Sequence, residues 1–199
     1  EGRNPYSIPV GGSNTLGAFG YMEAIQEILD FESMMQFDHI VFGCGSGGTA
    51  AGLAIGAALS GLNKRSIIHG VGVCDSPEYF YDHIDEVAQA LEIDSSVYGT
   101  ARDWLTLYDG QGLGYAKNTD EELEFLYDVS CSSGVVFDSV YAGKALYHFT
   151  KIVIPSKSDV FKSGQKVLFI NTGGVFGLFE KATQLLGCIR KSNDSNSTS

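Results

Sequence analysis

The segment His39-Ile-Val-Phe-Gly-Cys-Gly-Ser-Gly-Gly-Thr-Ala-Ala-Gly-Leu53 limits this chain more than any other. A short apolar run ends in a glycine loop, and the loop opens directly into a helical pattern. Without a Cβ at Gly43, Gly45, Gly47 and Gly48, the backbone can turn so that successive N–H groups converge. A helix N-terminus behind them adds partial positive charge. The spacing predicts a strand over 39–43, a helix over 49–60 and an anion cradle between them.

Several readings compete for that cradle. Gly43, Gly45 and Gly48 satisfy the dinucleotide pattern G-x-G-x-x-G. The acid that would hold a ribose about 20 residues further on is missing, since Asn63-Lys64-Arg65 stands there and Asp75 arrives late. A nucleotide P-loop needs Gly-Lys-Ser/Thr, which does not follow. Gly-Ser-Gly-Gly-Thr suits a compact phosphate monoester such as that of pyridoxal phosphate, because Ser46 and Thr49 can add hydroxyl donors to the backbone amides. A plain strand-to-helix turn with no ligand is the remaining reading.

The charge balance narrows the partners. With 13 basic against 24 acidic residues the net charge is −11, which argues against nucleic acid or an anionic membrane as partner. No apolar run approaches the roughly 18 residues that a membrane span needs. Cys44, Cys74, Cys131 and Cys188 are scattered, with no C-x-x-C and no histidine at metal-ligand spacing. Neither a metal site nor a disulfide framework is expected, and a reducing compartment fits. Cys44 reads as a small buried residue rather than a nucleophile. His39, His69, His83 and His148 form no motif and read as strand-edge or surface residues. The chain of 199 residues begins at Glu1, so it is expected to be a piece of a longer protein, with any targeting signal upstream.

Apolar runs alternate with helical patterns along the chain. A helix is expected over 15–30 with Ser13 or Asn14 near its cap, then strand 67–74, a helix over 77–92 and a strand over Trp104–Tyr108. Thr119-Asp-Glu-Glu122 is a capping box that starts a helix over 120–132. Val135–Phe137 and Lys166–Ile170 are further expected strands, the second ending in Asn171-Thr-Gly-Gly174 before another helix. Residues 1–189 read as one catalytic unit and 190–199 as a polar disordered tail. Continuous apolar strands between helices imply an α/β fold around an open, mostly parallel sheet with helices on both faces. Both glycine turns, Gly45–Thr49 and Thr172–Gly174, would then lie at the carboxyl edge of the sheet, where such folds bind ligands.

At this point a family resemblance emerges. Pro9-Val-Gly-Gly-Ser-Asn-Thr-Leu-Gly-Ala18, Gly45–Leu53, Val73-Cys-Asp-Ser-Pro-Glu-Tyr-Phe-Tyr81, Gly114–Leu123, Val140-Tyr-Ala-Gly-Lys144 and Phe169–Gly174 resemble, in order, the C-terminal half of the plant-type D-cysteine desulfhydrases. Those enzymes group with 1-aminocyclopropane-1-carboxylate deaminases among the fold-type II, tryptophan-synthase-β-like pyridoxal phosphate enzymes. The resemblance implies that Gly45, Ser46, Gly47, Gly48 and Thr49 bind the cofactor phosphate. It implies that Thr172 partners the pyridine nitrogen and that Tyr115 and Tyr141 are catalytic tyrosines. It also implies a small amino-acid substrate, a homodimer, and a cytoplasmic or mitochondrial setting. The expected reaction of the complete protein takes D-cysteine to pyruvate, hydrogen sulfide and ammonia. The deaminase reaction, or an inactive remnant, are the alternatives. Ala142 departs from both branches, which carry Ser or Thr in desulfhydrases and Glu in deaminases. None of the nine lysines matches the family's Schiff-base position, so this piece alone is expected to lack activity. Lys144 reads as a surface charge.

Overall fold

The computed structural model describes residues 2–32 and 35–196. Helix α1 (Thr15–Glu32) begins where Asn14 Oδ1 accepts the Gly17 amide at 2.8 Å. That bond satisfies one of the N–H groups that a helix start leaves without an internal partner. Next come β1 (His39–Cys44), α2 (Gly48–Ser60), β2 (Ile67–Gly72) and α3 (Pro77–Ala90). Two short helices, α4 (Ser95–Tyr98) and α5 (Ala101–Trp104), precede β3 (Thr106–Asp109). The chain continues through α6 (Asp120–Ser133) and α7 (Ala142–His148), a π-helical turn at Phe149–Val153, and α8 (Ile154–Ser156). It closes with β4 (Val167–Ile170) and α9 (Gly177–Asn196).

The four strands pair in parallel in the order β3-β2-β1-β4. In register, His39 lies opposite Ile67 on one side and Val167 on the other. Strand alternation sorts the side chains between two layers. Ile40, Phe42 and Cys44 join the core built with α1, α2 and α3, whereas Val41 and Val71 pack against Ala145, Phe149 and Val153. Both faces of the sheet are therefore covered, which is why its strands read as continuous apolar runs. The expected open parallel α/β sheet is what the chain forms.

The strand order also places the site. From β1 the chain steps outward to β2 and β3, while β4 returns to the opposite side of β1. A crevice opens at such a reversal, beyond the carboxyl ends of the strands. Gly45–Thr49 leaves β1 there, and Thr172–Gly174 leaves the adjacent β4.

Three expected elements differ. Val135–Phe137 is irregular, not a strand. β4 occupies the edge beside β1, and the segment instead links the left-handed Gly134 cap of α6 to the turn before α7, burying only Phe137. Trp104 belongs to α5, because Asp103 Oδ2 accepts both the amide (2.8 Å) and the hydroxyl (3.0 Å) of Thr100 and starts a helical turn. Finally, α9 extends to Asn196, so 190–196 continue a helix where a polar tail is expected; 197–199 lie outside the described residues.

Candidate active site

The glycine loop is shaped by what surrounds it. Gly47 adopts φ +95°, a left-handed conformation that favours glycine, and it forms the N-cap of α2 without any side-chain cap. No acid stands in the first turn of α2. Its leading amides have no helical carbonyl to reach, a geometry that favours anions. The His83 ring lies directly over Gly47, where an added Cβ would come within 2.5 Å of Cδ2. The Ser13 hydroxyl donates to the Ser46 carbonyl at 2.9 Å and lies 2.7 Å from His83 Nε2. Because the hydroxyl proton is used on Ser46, the imidazole must supply the proton of the second bond, which assigns the Nε2–H tautomer. Ser13 and His83 thus clamp the loop, a role that no local motif announces. The Ser46 side chain rests on the Gly11 turn, where a Cβ would meet its Oγ at 2.1 Å.

Tyr141 closes the other side of the loop. Its ring lies on Gly45, leaving no room for a Cβ, which would fall 2.8 Å from Cε1. Its phenol meets that of Tyr115 at 2.7 Å. The hydrogen bond with Tyr115 first, and burial second, push the Tyr141 phenol up to about 12, so at neutral pH it keeps its proton. Asp138 holds Tyr141 in place: its carboxylate accepts the amides of Val140 and Ala142 at 2.8 Å each, and that of Tyr141, at the start of α7. The same carboxylate lies against Gly174, 3.2 Å from an ideal Cβ there. The two glycine turns therefore meet at one place, the Asp138–Tyr141 turn. Thr172 is exposed at the end of β4 beside them. The Ala142 methyl is buried in an apolar cluster with Leu126 and Phe137.

Tyr115 sits on a loop whose anchor corrects the sequence reading. Lys144 is not a surface charge: it is 0% exposed, and its ammonium donates to the carbonyls of Gly114 (2.8 Å) and Lys117 (2.7 Å). Nearby, buried Glu122 accepts the Thr119 amide at 2.8 Å, while Thr119 Oγ1 accepts the Glu122 amide at 3.1 Å, completing the expected capping box. Burial alone would raise the Glu122 carboxyl, but the nearby His148 ring, the bond from the Thr119 amide and the Lys144 charge hold it below the ordinary range. Periodicity misses Lys144 and Asp138 because their partners are backbone groups presented by a fold, not by a spacing.

Two thiols, Cys44 and Cys74, lie in and beside the loop. Burial pushes Cys44 far above its usual value, and it also raises Cys74, whose thiol donates to the Gly45 carbonyl at 2.9 Å. Both are poor nucleophiles at neutral pH. Of the histidines expected at strand edges or on the surface, His39 stands at the start of β1 and His69 within β2; both are buried and meet at 3.0 Å, away from the glycine loop. Among the described residues no group of acids, histidines and cysteines could hold a metal, and no helix is long and apolar enough to cross a membrane.

An uncapped, acid-free glycine turn fits a phosphate monoester, and two phenols stand beside it. Comparison with known proteins agrees. The chain is 43% identical over 189 residues to the Arabidopsis thaliana "bifunctional D-cysteine desulfhydrase/1-aminocyclopropane-1-carboxylate deaminase, mitochondrial", covering 93% of this chain and 45% of that protein. It superposes on the crystal structure of an ACC deaminase homologue with a TM-score of 0.76 at 34% identity, covering 94% of this chain and 55% of that one. It thus spans about half the length of the relatives it matches. The family model described as pyridoxal-phosphate dependent enzyme matches residues 1–173, and the chain belongs to that family.

Proposed function

We propose that the complete protein is a lyase that releases sulfide from D-cysteine, and that this chain supplies its phosphate cradle and its tyrosine pair. The carrying observation is at residue 142. A buried methyl stands beside Tyr141 where the deaminases of the resembling family carry a carboxylate, and a hydroxyl, Thr172, stands on the facing turn. When bound, pyridoxal phosphate supplies an electron sink for the pair left on the substrate α-carbon.

In this reading the residues divide the work. The amides of Gly45–Thr49, with the hydroxyls of Ser46 and Thr49, bind the phosphate at the start of α2. Thr172 offers a neutral partner to the pyridine nitrogen and leaves it unprotonated. A phenol near 12 does not give its proton to a departing thiolate, whose ordinary pKa is about 8.5. Tyr141 accordingly donates a hydrogen bond and orients the substrate, while Tyr115 holds it in that state. The subunits of the complete protein form a homodimer.

The bifunctional name of the plant relative keeps ring opening of aminocyclopropane carboxylate as the second reading. Turnover of the complete protein on both substrates at matched concentration separates them. Sulfide and pyruvate from D-cysteine are expected to exceed 2-oxobutyrate from the cyclopropane; the reverse order overturns the desulfhydrase assignment, and no turnover of either favours a remnant. Sizing the complete protein by light scattering checks the dimer.

A further inference from the structure

We propose that Lys144 is a built-in cation that organises the 110–118 loop and, through it, holds Tyr115 against Tyr141. It acts as a positioning residue. Two carbonyls of one loop, those of Gly114 and Lys117, converge on its ammonium from positions 30 and 27 residues away in sequence. The loop backbone needs such an anchor: Gly112, Gly114 and Ala116 have φ of 54°, 106° and 55°. Ala116 carries a Cβ, and a non-glycine residue persists in that region only where its surroundings hold it. The loop also rests on the lysine stem, since a Cβ at Gly112 would lie 3.6 Å from Lys144 Cε.

The charge is matched as well as the geometry. Glu122 is 2% exposed and its carboxylate is favoured by the Lys144 charge, with Asn118 Nδ2 at 3.4 Å and His148 Nε2 at 3.5 Å from its two oxygens. Asn118 in turn donates to the Ser139 carbonyl at 2.8 Å, tying the end of the loop to the turn that carries Tyr141. A neutral residue at 144 would leave the carbonyls of Gly114 and Lys117 without this donor and remove a positive charge that favours the Glu122 carboxylate. A truncated one would leave a hole of ammonium size lined by oxygens, which a small soluble amine can fill. The bearing on turnover rests on the lyase reading above; the cation role does not, and the test reads the loop directly.

The peptide bond after Lys117 is a trypsin site whose carbonyl is one of those Lys144 holds. Limited trypsinolysis of the full chain, followed by mass spectrometry, reports loop opening at that bond. In Lys144→Met, similar in length but uncharged, cleavage after Lys117 is expected to rise roughly tenfold or more, because local opening becomes cheap while the core stays closed. In Lys144→Ala, ethylammonium is expected to restore protection, whereas tetramethylammonium at equal ionic strength is not. Wild-type cleavage in Lys144→Met, or no difference between the two amines in Lys144→Ala, overturns the proposal. Should neither variant fold, the refolding yield of Lys144→Ala is read instead: recovery with ethylammonium alone supports the cation role, and equal yields overturn it. If the complete protein fails to retain pyridoxal phosphate while the trypsin result stands, the lyase reading fails and the cation role survives.

Discussion

Gly47 carries two independent constraints, a backbone φ of +95° and an imidazole ring over the position of its missing Cβ. Gly47→Asp adds bulk against His83 and a negative charge where an anion is to sit. In the complete protein it is expected to weaken pyridoxal phosphate retention by roughly tenfold or more, read by absorbance after dialysis, with circular dichroism showing that the fold persists. Tyr115 makes a different claim. Its hydrogen bond is the largest cause of the raised Tyr141 phenol, so Tyr115→Phe should bring Tyr141 back toward its ordinary value of 10. Titration of ring-labelled tyrosines by NMR would show this, and an unmoved Tyr141 would refute the pairing. Lys144 illustrates what residue type alone conceals. A lysine on a helix reads as solvent-facing, yet here the helix face beneath it is buried and its charge finds two carbonyls.

Elements built from contiguous residues were legible because their determinants lie within one helical turn. The Thr119–Glu122 box is such a case, both of its bonds spanning three residues. Thr119→Ala is expected to cost about 1 kcal/mol, the usual worth of an N-cap, measured as a shift in the urea midpoint. Pairing between elements is another matter, and the buried His39–His69–Tyr108 chain across β1, β2 and β3 shows its consequence. His69 lies 3.0 Å from His39 and 3.2 Å from the Tyr108 hydroxyl. Burial first, then the neighbouring His39, lowers its pKa from 6.5 to about 4. Between those values the unfolded chain binds a proton that the folded chain refuses, so stability falls as the pH drops from about 6.5 toward 4 and levels off below. The full loss is of order 3 kcal/mol. Urea midpoints at pH 7, 5 and 4 should show this slope in the wild type, and His69→Gln should flatten it at the cost of a lower plateau.

At the scale of the whole molecule, apolar surface remains beside the β4 edge of the sheet. β4 is an edge strand, and a groove of about 520 Å³ beside it is lined by Ala24, Ile28, Phe31, Phe37, Leu168 and Ile170. Phe176 at the head of the α9 turn is 87% exposed. An apolar surface of this kind takes up hydrophobic dyes. The chain is expected to enhance anilinonaphthalene sulfonate fluorescence, and Phe31→Lys to reduce it; an unchanged signal would place the dye elsewhere. The same scale separates what composition and spacing determine from what they do not. Glycine placement, strand hydrophobicity and the capping signals were sufficient for the parallel sheet, the glycine turn at Gly45–Thr49 and the helix at Thr119, because each rests on dihedral freedom or on bonds between near neighbours. Only the tertiary structure decided that Val135–Phe137 stays outside the sheet, that Asp138 joins the two glycine turns, and that Lys144 is buried. Those outcomes depend on which backbone groups return to within 3 Å after some 30 residues of chain, and nothing in a local pattern carries that distance.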